Sequence, residues 1–411
     1  MPSNLVTGID IGTSTIKVAV AENQNGRSVL RFVGKYPSGG IRKGAIADMV
    51  EASQAIHHAL GELKKVSKGA LKNMYVNIGT PQVKVQPSRG IVAVSRADTE
   101  IYQDDVDRVV RASQAINLQP NRTIIHNIAK EFIVDGVGDI ADPVGLSGSR
   151  LEVQSIVIDA FTPHIKNLIK AIELSGGEIK GLVFSPLASG RSALGKAQKD
   201  LGVALIDIGY GTTGLCVYEE SKLVGVAKFP VGSGNISNDI AIGLKIPVTA
   251  ADALKLQCGY AMAKEIGTKE SIELKKFVAD GKGTVSRRFI SEIIESRLSE
   301  IFEFVQNELK LMGRAGQLAG GVVLVGGGAK LPGLTELVRQ ELKLPTQIGL
   351  SGEEWLVEGA SNFNEILEDP EFVTTLGLVL WGSDEEGWNA KSGNFSFSGM
   401  SVKKIMGYFL P

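Results

Sequence analysis

A strand-and-turn phrase is written twice in this chain, and the repetition restricts the fold more than any other feature. It first reads Val6-Thr-Gly-Ile-Asp10-Ile-Gly12-Thr-Ser-Thr15-Ile-Lys17-Val-Ala-Val20. It returns as Val203-Ala-Leu-Ile-Asp207-Ile-Gly209-Tyr-Gly-Thr212-Thr-Gly-Leu-Cys-Val217. Asp10 matches Asp207, Gly12 matches Gly209 and Thr15 matches Thr212, all at an offset of 197 residues (207 − 10). Internal similarity at so long a period predicts two related half-molecules rather than a solenoid of short units. Each copy is an apolar strand, an Asp, a turn rich in Gly and Thr, and a second apolar strand. Such a turn offers backbone N–H groups and hydroxyls to an anion, with a carboxylate beside it for a cation. One copy alone reads as a structural hairpin; two copies at symmetric positions read as a clamp for a nucleotide and its metal.

The rest of the chain accommodates two such halves. Its 411 residues leave room for two lobes with subdomains, and 43% hydrophobic, 22% charged residues and 49 glycines describe an α/β protein with many turns. A net charge of −1 gives no electrostatic footprint for nucleic acid, so no nucleic-acid partner is expected. Cys216 and Cys258 have neither disulfide nor metal spacing and read as free thiols of a reducing compartment. The first residues carry no signal-peptide series. No apolar run reaches the roughly 18 residues that cross a bilayer, so a cytoplasmic protein is expected unless something anchors it.

Patterning sets the expected boundaries. Residues 1–81 plus 161–200 form the core of the first lobe, and 82–160 break the repeat logic as an inserted α+β subdomain. The second lobe restarts at Val203. Its core is expected at 201–227 plus 300–350, its small subdomain at 228–299, and a return to the first lobe at 351–383. Thr249-Ala-Ala-Asp252 has the capping-box form at the head of a helix. Ile290, Ile293, Ile294, Leu298, Ile301, Phe302 and Val305 make one helical stripe within Phe289–Leu311. From about Asp384 the Gly, Ser and Asn content predicts a linker, 384–400.

The chemistry concentrates in three places. Asp10 and Asp207, at equivalent strand ends, suit Mg²⁺ held largely through water. Gly12, Thr13, Ser14, Thr15, Gly209, Gly211, Thr212 and Thr213 supply phosphate donors, and Lys17 a charge. Gly326, Gly327 and Gly328, with Lys330 after them, end an apolar strand and open a helix, which suits close backbone approach to adenosine.

Asp10-Ile-Gly-Thr13, the Asp207 phrase and Val325-Gly-Gly-Gly328, in that order, resemble the actin-like ATPase superfamily. Within it the chain is similar to the FtsA family of bacterial cell-division proteins. That likeness rests on Ile140-Ala-Asp-Pro-Val-Gly-Leu-Ser-Gly-Ser-Arg-Leu-Glu-Val153, Leu187-Ala-Ser189, Leu201–Gly209, Asp239–Leu244 and Ile293–Leu298. It spans residues 5–382 and the tail, and the insert sits where that family carries its distinctive subdomain. The resemblance implies an actin-like fold with ATP and Mg²⁺ between the lobes, and it adds Gly234, Asp252 and Lys255 to the adenosine site. Asp252 equally suits a helix cap. Where hydrolytic relatives carry a Glu before the proline, Ser185-Pro186 stands here, and serine is no comparable base. Tight ATP binding with slow hydrolysis is therefore expected, with Tyr210 narrowing the second turn.

The resemblance further implies a polymer of copies of this chain. It would bind the C-terminal tail of the tubulin-like FtsZ through the small subdomain and recruit other division proteins. The expected location is the cytoplasmic side of the cell membrane at the division site. Val402, Lys403, Lys404, Ile405, Met406, Phe409 and Leu410 have amphipathic-helix spacing and read as a membrane-surface anchor over 401–411. The alternatives are a PilM-like scaffold for pilus assembly, which shares the fold, and a sugar kinase, for which no catalytic carboxylate is visible.

Overall fold

The computed structural model describes residues 5–24, 27–279, 281–352, 355–356 and 363–390, with side chains in the last segment through 385. The linker beyond 390 and the anchor residues Val402, Lys403, Lys404, Ile405, Met406, Phe409 and Leu410 lie outside these described residues.

The duplication is visible in two sheets of the same construction. The first orders its strands Ile179–Phe184, Met74–Ile78, Leu5–Ile11, Thr15–Gln24, Arg27–Pro37 and Trp355–Leu356. The second orders Thr346–Ile348, Val322–Val325, Val203–Ile208, Thr213–Glu219 and Lys222–Phe229. In both, an antiparallel meander joins parallel strands through the first strand of the hairpin. The register is conserved to the residue: Asp10 faces Lys17 and Ile11 faces Ile16, as Asp207 faces Gly214 and Ile208 faces Thr213. Each turn closes with the same bond, Gly12 N–H to the Thr15 carbonyl at 3.1 Å and Gly209 N–H to the Thr212 carbonyl at 3.0 Å.

These strands are apolar on both faces because helices cover both sides. Helix Met49–Val66, capped by Asp48, buries Ala52, Ile56, Ala59, Leu60 and Leu63 on the first sheet. Helix Val373–Ala390 packs against Leu5–Ile11 and against helix Ser185–Ala193, returning the chain to the first lobe. It runs through the start of the expected linker, because its end is tied down: Arg191 binds Asp384 at 2.6 Å, and Tyr75 donates to Glu385 at 3.1 Å.

The insert is a four-stranded antiparallel sheet, ordered Val83–Ala93, Arg150–Phe161, Arg122–Val134 and Val137–Ile140, with helix Gln103–Ala112 on it. It has its own small core around Phe132, Val134, Leu151 and Val153. It is anchored to the first lobe by buried His126, whose Nε2 accepts the Phe184 N–H at 2.9 Å.

In the second lobe the stripe predicted for Phe289–Leu311 forms helix Arg287–Leu311, capped by Ser286, with Ile290, Ile294, Leu298, Ile301, Phe302 and Val305 buried. The helix expected from Thr249-Ala-Ala-Asp252 begins earlier, at Val248 after Pro247, and ends at Cys258. Asp252 therefore lies inside the helix and caps nothing.

Candidate functional site

The two hairpins meet across a cleft of about 510 Å³, within the range of small-molecule sites. Their tips approach closely: a Cβ on Gly211 would lie 2.5 Å from the Thr13 hydroxyl, which itself accepts the Gly44 N–H at 3.2 Å. Asp10, Gly12, Thr13, Ser14, Thr15, Lys17, Asp207, Gly209, Gly211, Thr212, Asp252, Lys255, Gly326, Gly327, Gly328 and Lys330 all line it. Sequence spacing thus locates most of the wall.

Two expected residues fall outside. Thr213 is fully buried in its strand, where its hydroxyl donates to the Val231 carbonyl at 2.9 Å. Its β-strand position points it into the lobe rather than the cleft. Gly234 sits behind the Tyr210 ring, where a Cβ would be 2.5 Å from Cε1. Gly12 and Gly209 spend their amides closing the turns, so the open donors belong to the residues after them.

Asp207 is held by two hydroxyls that were not expected at the site: Ser189 donates at 3.3 Å and Thr374 at 3.2 Å, both to Oδ2. Gly326 makes the other side. It adopts φ +86°, and a Cβ there would lie 2.4 Å from Asp207 Oδ1, so only glycine lets the third turn ride on the carboxylate. Asp10 pairs with Lys17 at 3.6 Å. Burial pushes the Asp10 carboxyl above its ordinary range; Lys17 opposes this, Asp207 adds to it and Lys228 opposes it. No cluster of three metal-ligating side chains occurs among the described residues. Two carboxylates without a third ligand fit Mg²⁺ that keeps waters and shares phosphate oxygens, and do not fit an all-protein cage.

The far wall is a closed polar network. The Lys255 ammonium donates to Asp252 at 2.7 Å, Ser237 at 2.8 Å and the Ser233 carbonyl at 3.2 Å, beneath the Tyr210 ring. With all three protons committed inside the protein, Lys255 shapes the wall rather than offering a free charge. Ser185 donates to the Ile78 carbonyl at 2.9 Å and receives Asn77 Nδ2 at 3.3 Å, while Asn77 Oδ1 accepts the Ile11 N–H at 2.7 Å. The proline-preceding position thus braces the first hairpin and presents no base.

Two charged residues escaped sequence reading. Glu371 reaches Lys35 at 2.8 Å and Lys17 and Lys330 at 3.7 Å each. Lys228 lines the cleft floor; a lysine set after the apolar run 223–227 of strand Lys222–Phe229 is the signal that could have found it.

Comparison with known proteins agrees with this architecture. A family model described as "Cell division protein FtsA" matches residues 204–377, and one described as "SHS2 domain inserted in FTSA" matches 81–159, the span of the four-stranded insert. The cell division protein FtsA of Borreliella burgdorferi is 31% identical over 100% of this chain and 99% of its own length. FtsA of Bacillus subtilis is 35% identical over 92% of this chain and 83% of the relative. Among solved structures, a PilM-PilN type IV pilus biogenesis complex superposes with TM-score 0.67 at 19% identity, covering 92% of this chain and 98% of that one. MreB5 of Spiroplasma citri bound to AMPPNP superposes with TM-score 0.55 at 14% identity, covering 95% and 99%. With two lobes built on one repeated sheet, the family's insert in place and relatives matched along nearly their full length, the chain belongs to the FtsA family of cell division proteins and has the actin-like ATPase fold.

Proposed function

We propose that this chain holds ATP with Mg²⁺ in the interlobe cleft, polymerises, and ties the FtsZ division ring to the cytoplasmic face of the cell membrane while recruiting later division proteins. The observation that carries the nucleotide part is the pair of register-matched hairpins facing one another with an Asp at each strand end. Support comes from the fold neighbour MreB5, solved with ADP and with AMPPNP. The hairpin tips Thr13, Ser14, Tyr210 and Gly211 would bind the phosphates, Gly326–Gly328 the adenosine side, and Asp10 and Asp207 the waters of the metal. Magnesium, when bound, supplies charge neutralisation of the phosphates. Ser185 leaves the attacking water without a base, which favours holding over turnover.

The membrane and ring roles rest on family membership and on the amphipathic spacing of 401–411. No helix among the described residues is long and apolar enough to cross a membrane. The small subdomain's arginines are engaged at home, Arg287 with Glu270 at 2.8 Å and Arg297 with Asp239 at 2.6 Å, so the FtsZ tail would meet a surface already braced by ion pairs. A pilus scaffold is the weaker reading, since likeness to PilM at 19% identity reports the fold alone.

Vesicle reconstitution tests the proposal. With ATP, the full chain should carry FtsZ onto anionic vesicles, and a version ending at residue 400 should leave FtsZ in the supernatant. Equal sedimentation of FtsZ with both versions would overturn the tether, and kinase-like ATP turnover would overturn the holding role.

A further inference from the structure

The two lobes carry matched rows of side chains across their strands. In the first, the register pairs Asp10 with Lys17 and Lys17 with Lys35. In the second it pairs Asp207 with Gly214 and Gly214 with Lys228. Residues paired across neighbouring strands share a face. Each lobe therefore sets an Asp, a middle residue and a lysine in line.

The middle position is where the halves diverge. A Cβ on Gly214 would lie 2.9 Å from Pro186 Cγ, 3.7 Å from Asp207 Cβ and 3.7 Å from the Lys228 ammonium. The missing side chain is what lets Lys228 extend over the second strand towards Asp207 and into the cleft. Its counterpart Lys35 also lines the cleft but is tied to Glu371 at 2.8 Å, an anchor that Lys228 lacks.

Lys228 forms no hydrogen bond or ion pair with the described residues. Burial lowers its hold on a proton, while the fields of Asp207 and Asp10 act the other way. The Lys228 ammonium, half-buried and without a partner among the described residues, faces the cleft that the two hairpins enclose. Lys17 is already shared between Asp10 and Glu371, and Lys255 and Lys330 are paired with Asp252 and Asp369, so Lys228 is a cleft lysine without an acidic partner among the described residues.

We propose that Lys228 is a phosphate-binding cation of the second lobe, gripping the polyphosphate opposite Lys17 and carrying part of the charge neutralisation that a divalent cation otherwise supplies. The proposal rests on the nucleotide reading above. Its chemistry is that of a lysine acting as a point charge on phosphate oxygens.

The test is equilibrium binding of ATP and of adenosine to the full chain, in Mg²⁺ and in EDTA, for wild type, Lys228→Met and Lys228→Arg. Lys228→Met should weaken ATP about tenfold or more in Mg²⁺ and leave adenosine within about twofold, the size of one lost charge-assisted contact. Its further loss in EDTA should exceed that of wild type, and Lys228→Arg should stay within about threefold of wild type. The unliganded Lys228→Met protein should melt no lower than wild type, since the substitution breaks no hydrogen bond or ion pair among the described residues. If wild type binds ATP and Lys228→Met binds it equally well, or loses adenosine to the same extent, the role of Lys228 is overturned while the nucleotide reading stands. Wild type that binds no ATP overturns both.

Discussion

Glu371 gathers three ammonium groups from both lobes, Lys17, Lys35 and Lys330. Its carboxylate is an internal anion seated where Lys17 would meet a phosphate. Replacing it with Gln keeps the shape and removes the competing charge. Calorimetry on Glu371→Gln should show ATP binding tightened about three- to tenfold and AMP much less affected, as expected for one charge near a polyphosphate. Unchanged ATP affinity would remove Glu371 from the binding balance. Nothing in the sequence marks this residue, because Glu371 and Lys35 meet across 336 positions. Asp10 and Asp207 were legible because duplication repeats them in the same local phrase. Thr213 and Gly234 lie outside the cleft wall for reasons no local phrase carries: Thr213 points into its lobe, and Gly234 is screened by the Tyr210 ring.

The insert strand Arg122–Val134 reaches the cleft wall through His126. The Phe184 N–H that it accepts directly precedes Ser185, and Ser185 and Asn77 carry the contact on to Ile11 in the first hairpin. Burial depresses the His126 pKa from 6.5 to about 3. Below pH 6.5 the unfolded chain takes up a proton that the folded chain refuses until about pH 3, so stability falls with acidification across that window. The share due to His126 is about 2 kcal/mol between pH 6.5 and 5. His126→Phe should lose about 1–3 kcal/mol at neutral pH, from the orphaned Phe184 N–H, and should show a correspondingly shallower acid loss. Denaturant titrations at the two pH values measure both, and an unchanged slope would refute the assignment. Helical periodicity located Arg287–Leu311 to within two residues at its start. It gave no warning that helix Val373–Ala390 continues past Asp384, since contacts to Arg191 and Tyr75 order that end.

At the scale of the molecule, the cleft exists because two sheets of one construction face each other, and a ligand held by both hairpins links the lobes. ATP that binds only the folded form should therefore stabilise it, by about 2.7 kcal/mol at a hundredfold excess over Kd. Chemical denaturation with ATP, and with adenosine at matched saturation, checks this. Full protection by ATP, with adenosine protecting equally only at far higher concentration, is the expected pattern. Equal affinity of the two ligands would mean that the hairpins do not hold phosphate.

Sequence alone determined the duplication, the α/β class, the two carboxylates, the glycine turns and the place of the insert. All of these are local phrases whose meaning survives without knowing what packs against them. Tertiary structure decided which turn donors face the cleft, that Asp252 joins a closed network instead of capping a helix, and that Glu371 and Lys228 enter the site at all. The physical reason is register. One glycine at 214 in place of a lysine makes room for a side chain on the neighbouring strand, and a pairing across strands leaves no trace in the spacing of either strand alone.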